Sequence, residues 1–368
     1  MIIIKLFQYV EKDIPSVICS DVEELVAMLL LHRNMSPEEV DLKLGIDGGQ
    51  GTLKVTLSMT LKPEFEVSTS PKPKRFQYSE GYGDGGDFKF SSVHKAIILA
   101  LVPTMNESYV NLRTLLDKLN IGALDCSHSE DIKVMLQILG KQPASSTHPC
   151  PFCESSKPLM EKANLNTLAS LLSWHDKWLA AGGKHKDLKK FQNVMHKPLL
   201  TGNPDSEIIE LLNVPGLHIL LGIVDKLLCE MEKSLFEAQE TGIVFFDTYL
   251  KSINLSRVCY QGQHRLEGNG CNQFLKKIDK LEQCFKENSL GLQGAKFITV
   301  FREFNKVVDG CFGKKVSSSY KEDIERFSRS FRDLGTKLPV KFHIVEQHLS
   351  EFIEMKGRHY GKNLYLFK

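Results

Sequence analysis

The chain has no apolar run of the roughly 20 residues needed to cross a membrane, and its opening MIIIKLFQYV is too short for a signal peptide. Its nine cysteines are odd in number and follow no framework spacing, which suits a reducing compartment better than secretion. Net charge is only +2, so overall charge argues neither for nor against a nucleic-acid partner. No basic run of the nuclear-localisation kind is visible, and no repeat of fixed period points to a solenoid. Together these absences predict an intracellular globular chain. A further scarcity is positional, since strand signals almost disappear after Pro151.

What is present is enough for a core. Apolar residues make up 42% of the 368 and charged residues 25%, in the range of a folded chain with two domains or one core carrying a large insertion. The organising stretch is Leu42 to Met59, LKLGIDGGQGTLKVTLSM. Leu42 to Ile46 is an apolar run ending on Asp47, Gly48 to Gly51 can turn the backbone, and Thr52 to Met59 alternates polar and apolar residues. This predicts a strand, a tight turn and a second strand. Asp47 then stands at a strand end where glycines leave room for a phosphate, a metal or another backbone, although an Asp-Gly hairpin turn reads the same way.

Upstream, Ser20-Asp21-Val22-Glu23 and Ser36-Pro37-Glu38-Glu39 are helix starts, so residues 1–40 read as a helical lead-in. Downstream, Lys62 to Asp87 reads as an exposed loop carrying Lys72, Lys74 and Arg75, and Ala96 to Val102 as a central strand. Glu107 to Asn120 has helical spacing, Gly122 to Asp125 suggests a fourth strand, and Ile132 to Leu139 a helix closed by Gly140. Asp131 falls beyond that fourth strand at the start of the helix. The order over 41–150 is that of a ribonuclease-H-like sheet.

Residues 151–335 then read as a large helical insertion region, and 336–368 as a C-terminal helix and tail. The fold class is therefore α/β followed by all-α. Helical patterns occupy Leu165 to Ala181, Ile208 to Leu212, Leu217 to Lys233, Cys271 to Phe285, Lys296 to Val308, Tyr320 to Leu334 and Pro339 to Met355. Leu217 to Leu228 is apolar almost all round, which predicts a buried helix. His218 on it reads as a core histidine, Trp174 and Trp178 as core anchors, and Lys184, Lys186, Lys189 and Lys190 as a solvated face.

The most specific local feature is His148-Pro149-Cys150-Pro151-Phe152-Cys153. A CxxC knuckle lets two thiolates reach one tetrahedral zinc ion, and two further ligands are needed. His343 and His348 are the best candidates, and such a site would staple the end of the helical region back onto the sheet. Unpaired structural thiols, or a site completed by His148, remain the alternatives. A redox CxxC is weaker, because no thioredoxin-like context surrounds it.

These residues, taken together, resemble the catalytic core of the recombination-activating recombinase of jawed vertebrates and the related Transib-like cut-and-paste transposases, DDE enzymes of ribonuclease-H-like fold. The resemblance covers about 42–59, 121–158 and 337–357. It implies that Asp47 and Asp131 are two catalytic ligands for Mg or Mn, and that Cys150, Cys153, His343 and His348 hold structural zinc. It also implies DNA as a partner, a homodimer, nuclear residence, and neither a membrane nor a small-molecule substrate. The family's third acid, a Glu about twenty residues past the second zinc histidine, has no counterpart: GRHYGKNLYLFK contains no acid. Glu346, Glu351 and Glu354 read as the solvated face of the zinc-ligand helix. The resulting expectation is a truncated, transposase-derived protein with strongly reduced or absent strand-transfer activity.

Two other classes compete. GIDGGQGT also resembles the first phosphate loop of sugar-kinase and actin-like ATPases, although Gly182-Gly183 fits their adenosine motif poorly. A zinc-stabilised scaffold for DNA or protein, without catalysis, is the second. Arg265 to Gly270 reads as a turn before a helix.

Overall fold

The computed structural model describes residues 4–9, 12–62, 96–121, 126–238, 242–260, 263–288, 290–312 and 316–360. The lead-in is only half helical. Strands β1 (Ile4–Tyr9) and β2 (Lys12–Ile18) form an antiparallel hairpin, followed by a helix at Val22–Arg33 that Asp21 caps by accepting from Glu24 N. The hairpin is strand because Val17 and Ile18 pair with Leu101 and Ala100, a long-range contact that the local pattern does not carry.

The central hairpin forms where the sequence predicts it. Strand β3 (Val40–Asp47) pairs antiparallel with β4 (Thr52–Leu61) in a register that sets Asp47 opposite Lys54, and Gly51 supplies the turn at φ +70°. Leu53, Val55, Leu57 and Met59 alternate inward, which pins that register, because a one-residue slip would expose all four. Strand β5 (Ile97–Pro103) pairs antiparallel with β4, and β6 (Cys126–Glu130) pairs parallel with β3. The sheet is mixed, with six strands in the order β1-β2-β5-β4-β3-β6. Residues 63–95, which include Lys72, Lys74 and Arg75, and residues 122–125 lie outside the described residues.

A helix at Tyr109–Leu119, capped by Ser108, carries the chain from β5 to β6, and a shorter one at Ile132–Ile138 follows β6. Gly140 closes the latter at φ +69°, and an added Cβ there would sit 2.1 Å from the His196 carbonyl oxygen. Beyond it, helices occupy Leu168–Ala180, Gly216–Ala238, Gly242–Ser252, Gly268–Leu275, Ile278–Glu287, Gly291–Cys311 and Tyr320–Arg332. The single pattern from Cys271 to Phe285 is broken at Lys277, whose carbonyl accepts from Tyr249 Oη and whose ammonium donates to the Ile253 carbonyl. The Gly242–Ser252 helix and the Val258–Tyr260/Gln263–Arg265 hairpin are additions to the sequence reading.

Phenylalanines knit the helices together. Phe274 meets Phe301 edge-on at 5.0 Å, Phe304 meets Phe327 at 4.9 Å, and Phe331 stacks on Phe342 at 4.4 Å, beside His343. Sheet and helices share one continuous buried core that runs from Val55 to Phe342. In the Gly216–Ala238 helix, Ile219, Ile223, Val224 and Leu227 are buried, but Leu217 and His218 are exposed. His218 is therefore not a core histidine. Trp174 and Trp178 are half-buried, with indole N–H groups donating to Glu154 and to the Lys184 carbonyl. Among the described residues, no helix is long and apolar enough to cross a membrane.

Candidate metal centre

Cys150, Cys153, His343 and His348 meet in the interior, all four buried, with their ligand atoms within 4.8 Å of one another. His343 Nε2 and His348 Nε2 are 3.3 Å apart, and the sulfur-to-nitrogen separations are 3.2 Å (Cys153–His343), 3.3 Å (Cys153–His348) and 3.5 Å (Cys150–His348). A tetrahedral ion with Zn–N near 2.05 Å and Zn–S near 2.3 Å requires edges of about 3.3 Å between nitrogens and about 3.6 Å between nitrogen and sulfur. The cluster is thus positioned to hold a metal, and its donor set and edge lengths are consistent with zinc.

The histidines reach this point through a local departure from α-helix. Five residues span about 140° of an α-helix beyond the full turn, which would send the two rings apart. Between the helical segments Val340–His343 and Leu349–Tyr360, residues Ile344–His348 form a π turn, whose wider winding brings positions five apart onto one side.

Each ring is held by its other nitrogen. His343 Nδ1 lies 2.8 Å from the Met160 carbonyl oxygen, so it donates and leaves Nε2 free for a metal. His348 Nδ1 donates to Glu351 Oε2 at 3.2 Å, and Glu351 is in turn paired with Lys162 at 3.1 Å. The knuckle is fixed by Asn166, whose Nδ2 donates to the Pro151 carbonyl, and by fully buried Lys141, whose ammonium donates to the Cys150 carbonyl at 2.8 Å.

The electrostatics of the cluster favour deprotonated sulfur. The Cys153 thiol is pushed far down by hydrogen bonding from Cys150, then from His343 and His348, while burial first and the neighbouring Cys153 second push Cys150 up. The pair therefore shares one proton, and a cation between the sulfurs would displace it. His148 is not part of the set. Its Nδ1 and Nε2 face the carbonyls of Glu154 and Lys189, which excludes a site completed by His148.

Asp47 and Asp131 sit elsewhere, at one edge of the sheet. Ile46 pairs with Glu130 in the parallel β3–β6 ladder, so the next residue of each strand, Asp47 and Asp131, emerges at adjacent carboxyl ends. Asp47 is exposed and its Oδ1 accepts from Gly49 N at 3.1 Å, while Asp131 Oδ1 caps the following helix by accepting from Val134 N at 2.8 Å. Glu107 joins them from across the sheet, accepting from Gly48 N at 2.7 Å and pairing with Lys133. His218 is crowded by this group although part of it reaches solvent; desolvation lowers its pKa, opposed by Asp131, Asp47 and Glu107 and reinforced by Lys341. Among the described residues only the Cys/His cluster brings three or more His, Cys, Asp or Glu donors within 4.8 Å, so the three carboxylates do not close on one point.

Compared with known proteins, the chain matches no family model and no curated sequence.

Of the acids on the C-terminal helix, Glu346 pairs with Arg332 and Glu354 with Lys321, while Glu351 orients His348 rather than facing solvent alone. The three-residue step from His348 to Glu351 is visible in the sequence and could have suggested this. Glu107 and Lys141 carry no comparable local signal, because their partners are fixed only by the fold.

Proposed function

We propose that the chain is a zinc-stapled, ribonuclease-H-like domain of the DDE transposase and recombinase type, with DNA as its partner and weak or no strand-transfer activity of its own. The single observation that carries this reading is the ladder pairing of Ile46 with Glu130, which sets Asp47 and Asp131 side by side at the carboxyl ends of parallel strands. The strand order β5-β4-β3-β6, antiparallel until the last pair, is that of the first four strands of such a sheet and supports it.

Asp47 and Asp131 would hold Mg²⁺ or Mn²⁺, which when bound supplies Lewis acidity toward a phosphodiester. What the chain itself does there argues for weak activity. Lys133 already pairs with Glu107, Lys341 lies within the field of Asp131, and each aspartate spends one oxygen on a backbone amide. The Cys/His cluster is structural in this reading, since four protein ligands leave no open position for substrate.

The test has two parts. Purified protein should contain one zinc per chain, and Mn²⁺ titration should show binding that Asp47→Ala and Asp131→Ala each remove. Mn²⁺ affinity unchanged in both variants would leave only the non-catalytic scaffold, a reading that the Lys133–Glu107 pair also favours.

A further inference from the structure

The outer edge of β6 carries a third group of reactive side chains, separate from the metal cluster and the aspartates. Cys126, His128 and Glu130 alternate along the strand, so their side chains leave one face of the sheet at steps of about 6.6 Å. Glu130 is enclosed, with no side-chain exposure; one carboxylate oxygen lies 3.3 Å from His128 Nδ1, and the other has no hydrogen-bond partner among the described residues. The Cys126 sulfur is within hydrogen-bond reach of the same imidazole. The strand beneath is anchored, because the His128 carbonyl accepts from Asn213 N at 2.8 Å and from Asn213 Nδ2 at 3.0 Å.

Cys126 and His128 both open into a cleft of about 620 Å³, whose other walls include Leu116, Asn120, Thr201 and Asn203. The three side chains do not converge as metal ligands do. They run in line, thiol to imidazole to carboxylate, which is the order of a nucleophile, its activating group and the group that orients it.

We propose that Cys126 is a nucleophilic thiol, activated by His128 and oriented through Glu130, that takes small carbonyl-bearing carbon electrophiles in this cleft. The imidazolium, held by Glu130, stabilises negative charge on the sulfur. With a haloacetamide, the thiol proton leaves to solvent, the sulfur lone pair forms the C–S bond, and halide departs with the bonding pair. With an activated alkene, the displaced pair moves to the carbon next to the carbonyl, which takes up a proton from water. Neither reaction needs an oxidant or reductant.

Iodoacetamide labelling of the intact protein, followed by peptide mass spectrometry, tests this. Cys259 is the comparator because it is exposed, whereas the thiol of exposed Cys229 is pushed up by burial. At pH 6.5, where an ordinary thiol is about 1% ionised, Cys126 should label at least tenfold faster than Cys259. His128→Gln should abolish that advantage and leave Cys259 unchanged; if this variant does not fold, Glu130→Gln should reduce it, and the wild-type comparison stands alone. A maleimide carrying a polymer too bulky for the cleft should label Cys259 and spare Cys126. Equal labelling of the two thiols in the wild type, an advantage that survives His128→Gln, or polymer attached to Cys126 would each overturn the assignment.

Discussion

His343 and His348 are five residues apart, yet their Nε2 atoms lie 3.3 Å from each other, the edge of a tetrahedral coordination site. Only the π turn between them makes this possible, and a π turn carries poorer backbone hydrogen bonding than the α-helix it interrupts. Its persistence is explained if a bound ion offsets that cost.

Chelation therefore provides the first test. Stripping the metal should leave two sulfurs and two imidazoles crowded in a dry interior, with the C-terminal helix no longer tied to residues 150–153. The melting temperature should fall by more than about 10 °C, since structural zinc contributes a large share of folding energy where it binds. Cys150→Ser should reproduce the loss without chelator. Unchanged melting in both experiments would mean that the cluster holds no metal.

Glu351 should matter for affinity more than for folding. It accepts from His348 Nδ1 and is fixed by Lys162, so Glu351→Ala frees the ring to rotate and to change tautomer. A loss of metal affinity between about 10-fold and 100-fold is expected, measured by competition with a chromogenic chelator. The same substitution at Glu354, which pairs with Lys321 instead, should have no such effect.

Much of this was legible in the sequence, for identifiable reasons. The β3–β4 hairpin was readable because its period of two and its glycine turn are local, and the four metal ligands because only thiol and imidazole in that pattern make a tetrahedral set. The β1–β2 hairpin was not readable, since Val17 and Ile18 become strand by pairing with Leu101 and Ala100. His218 was misread because an apolar run does not say which of its sides faces solvent. Glu107 was missed altogether: its position near Asp47 follows from the packing of Gly48, where even a Cβ would meet the glutamate side chain at 2.2 Å.

That last contact leads to a test of the acidic edge. Lys133 neutralises Glu107 beside Asp47 and Asp131, and so competes with any cation for the same field. Lys133→Met removes the competitor without adding a carboxylate, and Mn²⁺ affinity should rise at least about threefold, as expected for loss of a partly exposed ion pair. If affinity is unchanged, the lysine is not what keeps a cation out.

His128 sets a pH dependence whose sign can be worked out. Burial disfavours its protonated form, but Cys126 and Glu130 outweigh that and hold the ring protonated up to about 10, against an ordinary 6.5. The folded state thus binds a proton more tightly than the unfolded chain. Its contribution is fully present below about pH 6.5 and lost as pH rises through about 10, on the order of a few kcal/mol. Lys141 acts in the opposite direction, because burial lowers its amine to about 8 and the folded chain releases that proton first. Comparing wild type with His128→Gln isolates the histidine, since Lys141 is common to both. In urea unfolding at pH 6.5 and pH 9.5, the stability difference between the two proteins should shrink as pH rises; a constant difference would show that Glu130 and Cys126 do not hold the charged ring.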